Sequence, residues 1–295
     1  MTDVEIRLKQ TAEAVDARMK ELLKTPDPSL EALYSAMRYS ALTGGKRIRP
    51  HLVLEFCRLF GGSDDAALDF ACAVEFVHSS SLIHDDMPAM DDDDYRRGKP
   101  TCHKVFGEGI ALLAGDTLIV KGFETAAGNK NVPSDAALAA AKLIAQYAGG
   151  EGMMGGQNID LCSENKQIPF DEMLKMHAMK TGALIRLSAL LGCVAACVGE
   201  KDARYKDAED YARGVGATFQ IIDDVLDVTG DEKTLGKSVH ADEKEHKTTF
   251  LSFLGISEAL EFAANQTRRA ISSIEKYEGS GHLVALAEFL LGRKK

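Results

Sequence analysis

The stretch His84–Asp94 reads H-D-D-M-P-A-M-D-D-D-D and carries six carboxylates within ten residues. The residues before it, Ala66–His84, show an apolar-rich helical pattern, and Pro88 cannot continue a helix. Asp85 and Asp86 are therefore predicted to end a helix, where the partial negative charge of the helix dipole disfavours carboxylates. The sequence thus predicts that a cation lies beside these two aspartates.

A second acidic segment, Gln220–Asp227, reads Q-I-I-D-D-V-L-D, and its Asp223 lies more than 130 residues beyond Asp91. Asp223 and Asp227 are four residues apart in a helical pattern, so they share one face, where like charges repel. A single acidic run is usually a solvated surface feature. Two runs that face each other across a cavity, however, suit Mg²⁺, which binds a few carboxylates, substrate phosphates and water.

Apolar residues recur at helical spacing along most of the chain, between capping and stop signals. One helix starts near Asp27-Pro28 and stops before Gly44-Gly45, as is typical of helix ends. The last 126 residues contain no proline and no Asn-Gly or Asp-Gly hairpin signal, which leaves little room for a sheet. We predict an all-α bundle, a single domain over residues 1–295, with a cavity between facing helices. Besides 66–84, the predicted helices are 107–127, 134–148, 170–198 and 202–228.

Composition and charge exclude several classes of protein. With 295 residues, 45% hydrophobic and 27% charged, the chain is globular rather than disordered or fibrous. Its net charge of −10 argues against a nucleic-acid binder, which presents a basic face. No signal peptide is visible, and the longest uncharged run, Leu187–Gly199, is too short to span a bilayer. The six cysteines lack metal-ligand spacing, so we predict a cytoplasmic protein with reduced thiols and no stable membrane insertion.

Basic side chains accompany both acidic segments. The loop Gly44–Pro50, G-G-K-R-I-R-P, combines two glycines with Lys46 and Arg49, which suits phosphate oxygens, although its spacing is not that of a P-loop or a Rossmann fingerprint. Taken alone, this loop would be a solvated helix cap and Lys180 a snorkelling lysine. The full set of cations that favours a pocket for metal and diphosphate is Lys46, Arg49, Arg96, Arg97, Lys180 and Lys237.

Five ordered motifs give the chain a family resemblance. They are G-G-K-R-I-R-P, D-D-M-P-A-M-D followed by R-R-G-K-P, G-M-M-G-G-Q-N-I-D-L, M-K-T-G, and D-D-V-L-D preceded by Gln220. Together they resemble the bacterial short-chain trans-prenyl diphosphate synthases, the farnesyl/geranylgeranyl diphosphate synthase family, over essentially the whole chain. The resemblance implies a helical bundle of the isoprenoid synthase type with a central active-site cavity, three Mg²⁺ ions and a homodimer. It also implies condensation of isopentenyl diphosphate with dimethylallyl, geranyl or farnesyl diphosphate to give farnesyl or geranylgeranyl diphosphate.

The resemblance further implies roles for individual residues. The implied metal ligands are Asp85, Asp86, Asp91, Asp223 and Asp227. The implied isopentenyl diphosphate ligands are Lys46, Arg49, His78 and Arg97, although His78 taken alone would be a hydrogen-bonded core histidine. The implied allylic-substrate ligands are Arg96, Lys180, Thr181, Gln220 and Lys237, with Gln157 and Asp160 bordering the cavity. The residues implied to act in catalysis on the departing diphosphate are Asp85, Asp86, Asp91, Asp223, Lys180 and Arg96. No role is assigned to Asp92, Asp93, Asp94 and Asp224.

Product length is predicted to depend on the serines Ser79–Ser81. Ser80 lies five residues before Asp85, ~7.5 Å back along a helix axis and below the metal site. In bacterial farnesyl synthases this position is commonly aromatic, so Ser80, with Ser81 beside it, favours an open floor and the twenty-carbon product. The alternative is that a bulky side chain on a facing helix closes the floor.

Two other functions are also considered. A terpene cyclase shares the fold class and an aspartate-rich motif, but its second metal site is typically an Asn/Ser/Glu pattern, and it needs no site like Lys46 and Arg49. A non-catalytic subunit of a heteromeric prenyl synthase usually lacks part of an aspartate-rich motif, and both motifs are intact here. The prenyltransferase is therefore the favoured function.

Overall fold

Helices form nearly all of the regular structure in the computed structural model, which describes residues 1–164, 166–229 and 248–293. Within those ranges the only strands are a two-residue antiparallel pair, β1 Tyr95–Arg96 and β2 Lys99–Pro100. The all-α prediction is confirmed. The helices are α1 Asp3–Leu22, α2 Glu31–Ala41, α3 Ile48–Leu59, α4 Asp64–Asp85, α5 Cys102–Phe106, α6 Glu108–Ala127, α7 Ser134–Ala148, α8 Met153–Ser163, α9 Phe170–Lys180, α10 Gly182–Ala195, α11 Ala203–Thr229, α12 Ile256–Ile274 and α13 Gly281–Leu291.

Helix α4 is the core helix that carries the first acidic segment. Ser63 caps its start, because the Ser63 side chain accepts a hydrogen bond from the backbone N–H of Ala66. The helix packs against α3, α6 and α10. By its length and composition this helix could cross a membrane. However, 78% of its 18-residue apolar stretch is buried inside the protein. It ends at Asp85, with Asp86 as its C-cap, as predicted from Pro88.

Large aromatic side chains hold the helices around α4 together. Phe56, Phe70 and Phe76 have no exposed surface, and burial of such a side chain contributes about 1.5–3 kcal/mol to folding. Tyr211 is also fully buried, and its hydroxyl donates a hydrogen bond to the backbone oxygen of Leu283 at 2.7 Å. This hydrogen bond connects α11 to α13, and it leaves the buried Tyr211 hydroxyl paired.

The prediction that residues 1–295 form a single domain stays a prediction.

The segment 170–198, predicted as one helix, forms two. Helix α9 ends at Lys180, α10 begins at Gly182, and the two are bent by 45°. Glycine has a low helix propensity, and the hydroxyl of Thr181 donates a hydrogen bond to Gln220 Oε1 at 2.9 Å. The one-helix prediction was wrong because a contact with a residue 39 positions away, which local periodicity does not reveal, holds Thr181 at the break.

Four of the other predicted helices agree with the structure to within two residues at each end, whereas the helix predicted to start near Asp27-Pro28 begins at Glu31. The predicted start at Asp27 is a cap in the structure, since its carboxylate accepts a hydrogen bond from the backbone N–H of Ser29 at 2.8 Å. That cap opens the 3-10 turn Pro28–Leu30, which leads into α2. The sequence patterns predict no helix for α1, α3, α5, α8, α12 or α13.

Candidate active site

A cavity of about 990 Å³ opens between α3, α4, α6 and helices α8 to α11. Its volume lies within the range of small-molecule sites. Asp85 and Asp223 line it together with the basic loop that precedes α3, so both acidic segments reach one space. The predicted site residues on its wall are Lys46, Arg49, His78, Ser80, Ser81, Asp85, Arg97, Gln157, Lys180, Thr181, Gln220 and Asp223.

Some predicted site residues lie off this wall. Asp86 and Asp227 are only 3% and 4% exposed. The roles of all five proposed metal ligands stay predictions. Lys237 lies outside the described residues. Within the described ranges, the predicted residues that do not line the cavity are Asp86, Asp91, Arg96, Asp160 and Asp227.

The chain turns back immediately after α4, because the backbone N–H of Asp91 donates a hydrogen bond to the backbone oxygen of Asp85 at 2.9 Å. Burial raises the pKa of Asp85 to about 6, and the positive charge of Lys180 only partly offsets this rise. Burial also raises the pKa of Asp86, whose Oδ1 accepts a hydrogen bond from Arg96 Nε at 2.5 Å. These desolvated carboxylates at a helix end form a site that favours added positive charge, as predicted.

Asp92, Asp93 and Asp94 stabilise the loop that follows α4 through contacts with Thr101 and Lys104. Lys104 Nζ lies 2.6 Å from Asp94 and 4.0 Å from Asp92. The backbone oxygen of Asp93 accepts a hydrogen bond from Thr101 Oγ1 at 2.8 Å, and that of Asp94 accepts one from the Thr101 N–H at 3.0 Å. These contacts hold the loop against the start of α5.

Arg49 and His78 form the basic end of the cavity. Arg49 Nη1 donates a hydrogen bond to His78 Nε2 at 3.2 Å. Burial, together with the charge of Arg49, keeps the pKa of His78 well below its usual value, so the imidazole is neutral and can accept that bond. The Nε of Arg49 is buried without a hydrogen-bond partner. A buried guanidinium donor that lacks a partner fits an anionic ligand in the cavity.

Gly45 lets Arg97 lie across the backbone of the basic loop. Gly45 has a φ of +124°, and a Cβ there would lie 2.8 Å from Arg97 Nη1. Arg97 also donates a hydrogen bond to the backbone oxygen of Gly44. Gly45 therefore leaves room for the Arg97 guanidinium against the basic loop, and the side chains of Arg97 and Lys46 both line the cavity.

Helix α8 approaches α9 so closely that Gly156 has no room for a side chain. A Cβ at Gly156 would lie 2.1 Å from the backbone nitrogen of Lys180. Across this contact, Asp160 Oδ2 accepts a hydrogen bond from Lys180 Nζ at 2.5 Å. The side-chain nitrogen of Gln157 is buried without a partner. Asp160 is therefore a positioning residue for Lys180, and Gln157 has a donor to offer a ligand.

Helix α11 carries Gln220 in a fixed orientation. Its Oε1 accepts the hydrogen bond from Thr181, and its Nε2 donates one to Asp224 Oδ1 at 2.9 Å. Asp224 is 2% exposed, and its Oδ2 accepts a hydrogen bond from the backbone N–H of Phe250 at 2.9 Å. Asp224, which had no predicted role, thus positions Gln220.

Arg293 lines the cavity, although no sequence pattern predicted it there. Its Nη2 lies 2.5 Å from Asp223 Oδ1, and its guanidinium carbon lies 4.0 Å from the centre of the Phe219 ring. The Nε of Arg293 is buried without a partner. The only sequence signal is the basic run G-R-K-K, which does not predict a contact with a residue 70 positions earlier.

The donor set of the cavity fits Mg²⁺. Asp85 and Asp223 present carboxylate oxygens from two sides, and hard divalent cations prefer such ligands. Guanidinium groups already lie against Asp86 and Asp223, so this acidic set attracts positive charge in the folded chain. Buried unpaired donors on Arg49, Gln157 and Arg293 are available for the phosphate oxygens that Mg²⁺ shares with protein ligands.

A family model described as polyprenyl synthetase matches residues 30–284, and the chain belongs to this family. The geranylgeranyl diphosphate synthase of Cyanophora paradoxa is 42% identical over 289 residues, which cover 97% of this chain and 95% of the relative. The farnesyl diphosphate synthase of Haemophilus influenzae is 40% identical over 285 residues, with coverage of 95% and 96%. The crystal structure of a geranylgeranyl pyrophosphate synthetase from Pyrococcus horikoshii matches with a TM-score of 0.88 at 31% identity, over 99% of this chain and 98% of that chain. The resemblance to short-chain trans-prenyl synthases and the isoprenoid synthase fold are confirmed.

Proposed function

We propose that this member of the polyprenyl synthetase family is a Mg²⁺-dependent trans-prenyltransferase. It joins isopentenyl diphosphate to an allylic diphosphate and makes farnesyl or geranylgeranyl diphosphate. The observation that carries the proposal is a single cavity in which the acids Asp85 and Asp223 face the cations Lys46, Arg49 and Lys180. Two diphosphates and their metal ions need this combination of acidic and basic walls. The names of the two relatives support the same class of reaction.

Different parts of the wall hold the two substrates. Arg49 and His78, with Lys46 and Arg97, bind the diphosphate of isopentenyl diphosphate at the basic end. Lys180, held by Asp160, binds the allylic diphosphate at the acidic end. There it acts with Thr181, Gln220 and Gln157, and with Arg96 and Lys237 as further predicted ligands.

The proposed metal ligands are Asp85, Asp86, Asp91, Asp223 and Asp227, and three Mg²⁺ ions are expected from the family resemblance. When bound, the Mg²⁺ ions neutralise charge on the departing allylic diphosphate as Lewis acids. Lys180 supplies further positive charge to the same oxygens. Arg96 is paired with Asp86 in the structure, so a metal ion held by Asp86 would share that carboxylate with Arg96.

The chain controls the carbon chemistry mainly by holding and shielding the reactants. The allylic C–O bond breaks, and both electrons leave with the diphosphate held by Lys180. The double bond of isopentenyl diphosphate, held by Arg49 and Lys46, forms the new C–C bond. The proton lost afterwards goes to the departed diphosphate. Leu184 and Ile185 line the cavity, and apolar walls of this kind keep water away from the carbocation.

Incubation of the purified chain with isopentenyl and dimethylallyl diphosphates tests this proposal. Dephosphorylation and chromatography should show linear fifteen- or twenty-carbon alcohols. Product formation only after a second subunit is added would indicate a non-catalytic subunit. A cyclic hydrocarbon made from farnesyl diphosphate alone would indicate a terpene cyclase.

Ser80 and Ser81 line the cavity with small side chains. Ser80 Oγ donates a hydrogen bond to the Val77 oxygen at 2.7 Å, and Ser81 Oγ donates one to the His78 oxygen at 2.9 Å. Because the helix satisfies both hydroxyls, the wall can contact a prenyl chain without burying an unpaired polar group. We infer that these small side chains leave room for a fourth isoprene unit, which favours the twenty-carbon product.

Ser80→Tyr should therefore shift the main product from twenty to fifteen carbons, because the added ring fills space below Asp85. With excess isopentenyl diphosphate, the ratio of twenty- to fifteen-carbon product should fall at least about fivefold, since overpacking costs about 1–3 kcal/mol. Ser80→Ala is the control and should keep the wild-type ratio. A wild-type enzyme that stops at fifteen carbons would mean that another wall residue, such as Ile119, closes the floor.

An exposed apolar face on α6 supports a homodimer. Leu113 and Val120 are 52% and 64% exposed and lie on the same side of the helix, two turns apart. The neighbouring helix α7 exposes 59% of Leu138. Apolar side chains grouped in this way are typical of a protein–protein contact. A second copy of the chain is the partner that the family resemblance implies.

The double variant Leu113→Glu/Val120→Glu should convert this dimer into a monomer, since each new carboxylate would be buried in an apolar interface. Sedimentation velocity measures the change. Leu260→Glu on α12 replaces a leucine that is 39% exposed and serves as the control, which should remain dimeric. A wild-type chain that sediments as a monomer at every working concentration would contradict the proposal.

The cysteines support a reducing compartment. All six thiols are free, and Cys57, Cys72, Cys102 and Cys193 are buried. Burial raises the pKa of Cys57 to about 12, so this thiol stays protonated and unreactive. Thiols stay reduced in the cytoplasm, which is the location that we propose.

A further inference from the structure

Two buried histidines meet outside the active-site wall. His51 on α3 and His282 on α13 share a hydrogen bond between their Nε2 atoms at 2.8 Å, so one of these atoms carries a hydrogen that a metal ion would replace, and the two residues are 0% and 8% exposed. Glu55, one turn after His51, is 5% exposed. The three side chains offer ligand atoms that all lie within 4.8 Å of one another. The proposed prenyl transfer uses none of them.

We propose that His51, Glu55 and His282 form a second metal site, for a transition-metal dication such as Zn²⁺. Two imidazoles and a carboxylate suit Zn²⁺, Co²⁺ or Ni²⁺, whereas Mg²⁺ prefers oxygen ligands only. Ligand atoms around a tetrahedral ion with metal–nitrogen bonds of about 2.0–2.1 Å lie about 3.3 Å apart. The observed separations, from 2.8 Å between the two imidazoles to at most 4.8 Å, bracket that value.

The second nitrogen of each imidazole already faces an oxygen. His51 Nδ1 lies 2.8 Å from Thr11 Oγ1, and His282 Nδ1 lies 3.5 Å from Asp3 Oδ2. Metal-bound histidines commonly donate their other N–H to such oxygens, which fixes the tautomer that leaves Nε2 available to the metal. His282 Nδ1 is buried without a hydrogen bond in this structure. A small rotation of the ring toward a metal ion would allow it to donate to Asp3.

The charges around Glu55 accommodate a dication. Arg58 and Arg7 lie 2.5 Å and 3.4 Å from its carboxylate. Arg58 also donates hydrogen bonds to both carboxylate oxygens of Asp64, each at 2.7 Å, so it keeps this anchor when Glu55 turns to a metal. The three carboxylates of Asp3, Glu55 and Asp64 outnumber the two guanidinium groups of Arg7 and Arg58. The net charge of these five groups is therefore negative before a metal ion binds.

A metal ion at this position would join three helices that are far apart in sequence. Helix α3 supplies His51 and Glu55, α13 supplies His282, and α1 supplies the outer oxygens of Asp3 and Thr11. A ligand that binds only the folded state stabilises it. We therefore expect Zn²⁺ to raise the melting temperature, while prenyl transfer in the cavity does not require it.

Titration of the chelator-stripped full chain with Co²⁺, in excess Mg²⁺, tests the site directly. The Mg²⁺ occupies the carboxylates of the cavity, so Co²⁺ reports on ligands that include nitrogen. One equivalent of Co²⁺ should produce the visible absorption of a four-coordinate ion, and Zn²⁺ should displace it. A wild-type chain that shows no such band, and no change in melting temperature with Zn²⁺, overturns the proposal whatever the variants do.

Variants then identify the ligands. His282→Gln and Glu55→Gln should each weaken Co²⁺ binding by about 100-fold or more, and Asp3→Asn by about tenfold, since outer partners of metal ligands typically contribute 10–100-fold. The double variant His240→Gln/His246→Gln changes two histidines outside the described residues and should bind Co²⁺ as the wild type does. Wild-type binding by His282→Gln, or loss of binding in the double variant, contradicts the proposal. Circular dichroism and prenyltransferase activity establish that each variant is folded.

Discussion

Asp85→Ala and Asp223→Ala are each expected to lower kcat by at least about 10²–10³-fold at saturating Mg²⁺, while substrates still associate weakly. Loss of one electrostatic stabiliser from an enclosed site costs about that much, and each change removes a proposed metal ligand from the allylic diphosphate. The two residues lie on α4 and α11 but line one cavity. Steady-state release of diphosphate, with each substrate varied in turn, separates the loss in kcat from any change in KM.

The matched control is Asp94→Ala, which removes an acid from the same loop as the first cluster. Asp94 pairs with Lys104 at the surface, and such pairs contribute little to stability. Its kcat should stay within about threefold of the wild type, because Asp94 does not line the cavity. An Asp223→Ala enzyme within about threefold of the wild type would contradict the model in which both acidic segments bind metal.

Arg47→Met should lower the free energy of unfolding by about 3–5 kcal/mol, the usual cost of removing one partner from a buried ion pair. The Arg47 side chain is 1% exposed and lies 2.5 Å from Glu75, whose side chain is 4% exposed. It also donates hydrogen bonds to Asp16 and to the backbone oxygen of Ala41. Methionine would leave the Glu75 charge buried without this partner. Equilibrium unfolding in urea measures the difference.

Arg213→Met is the comparison for this stability prediction. Arg213 pairs with Glu209 at 3.0 Å, but its side chain is 54% exposed, so its removal should cost less than about 1 kcal/mol. Similar urea midpoints and slopes for Arg47→Met and Arg213→Met would show that the Arg47 network does not stabilise the fold. A change in slope alone would instead indicate an altered unfolded state.

The parts of the fold that follow local rules could be predicted from the sequence. Helix α4 has a serine N-cap, an unbroken apolar pattern and a proline after its end, and its observed bounds, Asp64–Asp85, differ from the prediction by at most two residues. The break between α9 and α10 could not be predicted in this way, because no proline marks it. The hydrogen bond from Thr181 to Gln220 lies at this break, and local periodicity does not reveal a contact between residues so far apart in sequence.

The site shows the same division between local and long-range information. The Asp85 and Asp223 positions follow from motif and helix geometry. Asp224 is adjacent to Asp223 but about 100° away around the helix, and it contacts Gln220, four residues earlier, without lining the cavity itself. Arg293 could not be assigned, because its contact with Asp223 depends on how α13 packs and not on any pattern near residue 293.

The two sides of the cavity differ in how protein engineering could reshape them. On the α8–α9 side, Gly156 lies against the backbone of Lys180, so any substitution must push two helices apart and move the Lys180 ammonium group. On the α4–α6 side, Ser80, Ser81 and Ile119 line the cavity with side chains, which can change in volume while the backbone stays in place. A mutant library for altered product length should therefore randomise the α4–α6 side and keep Gly156 constant.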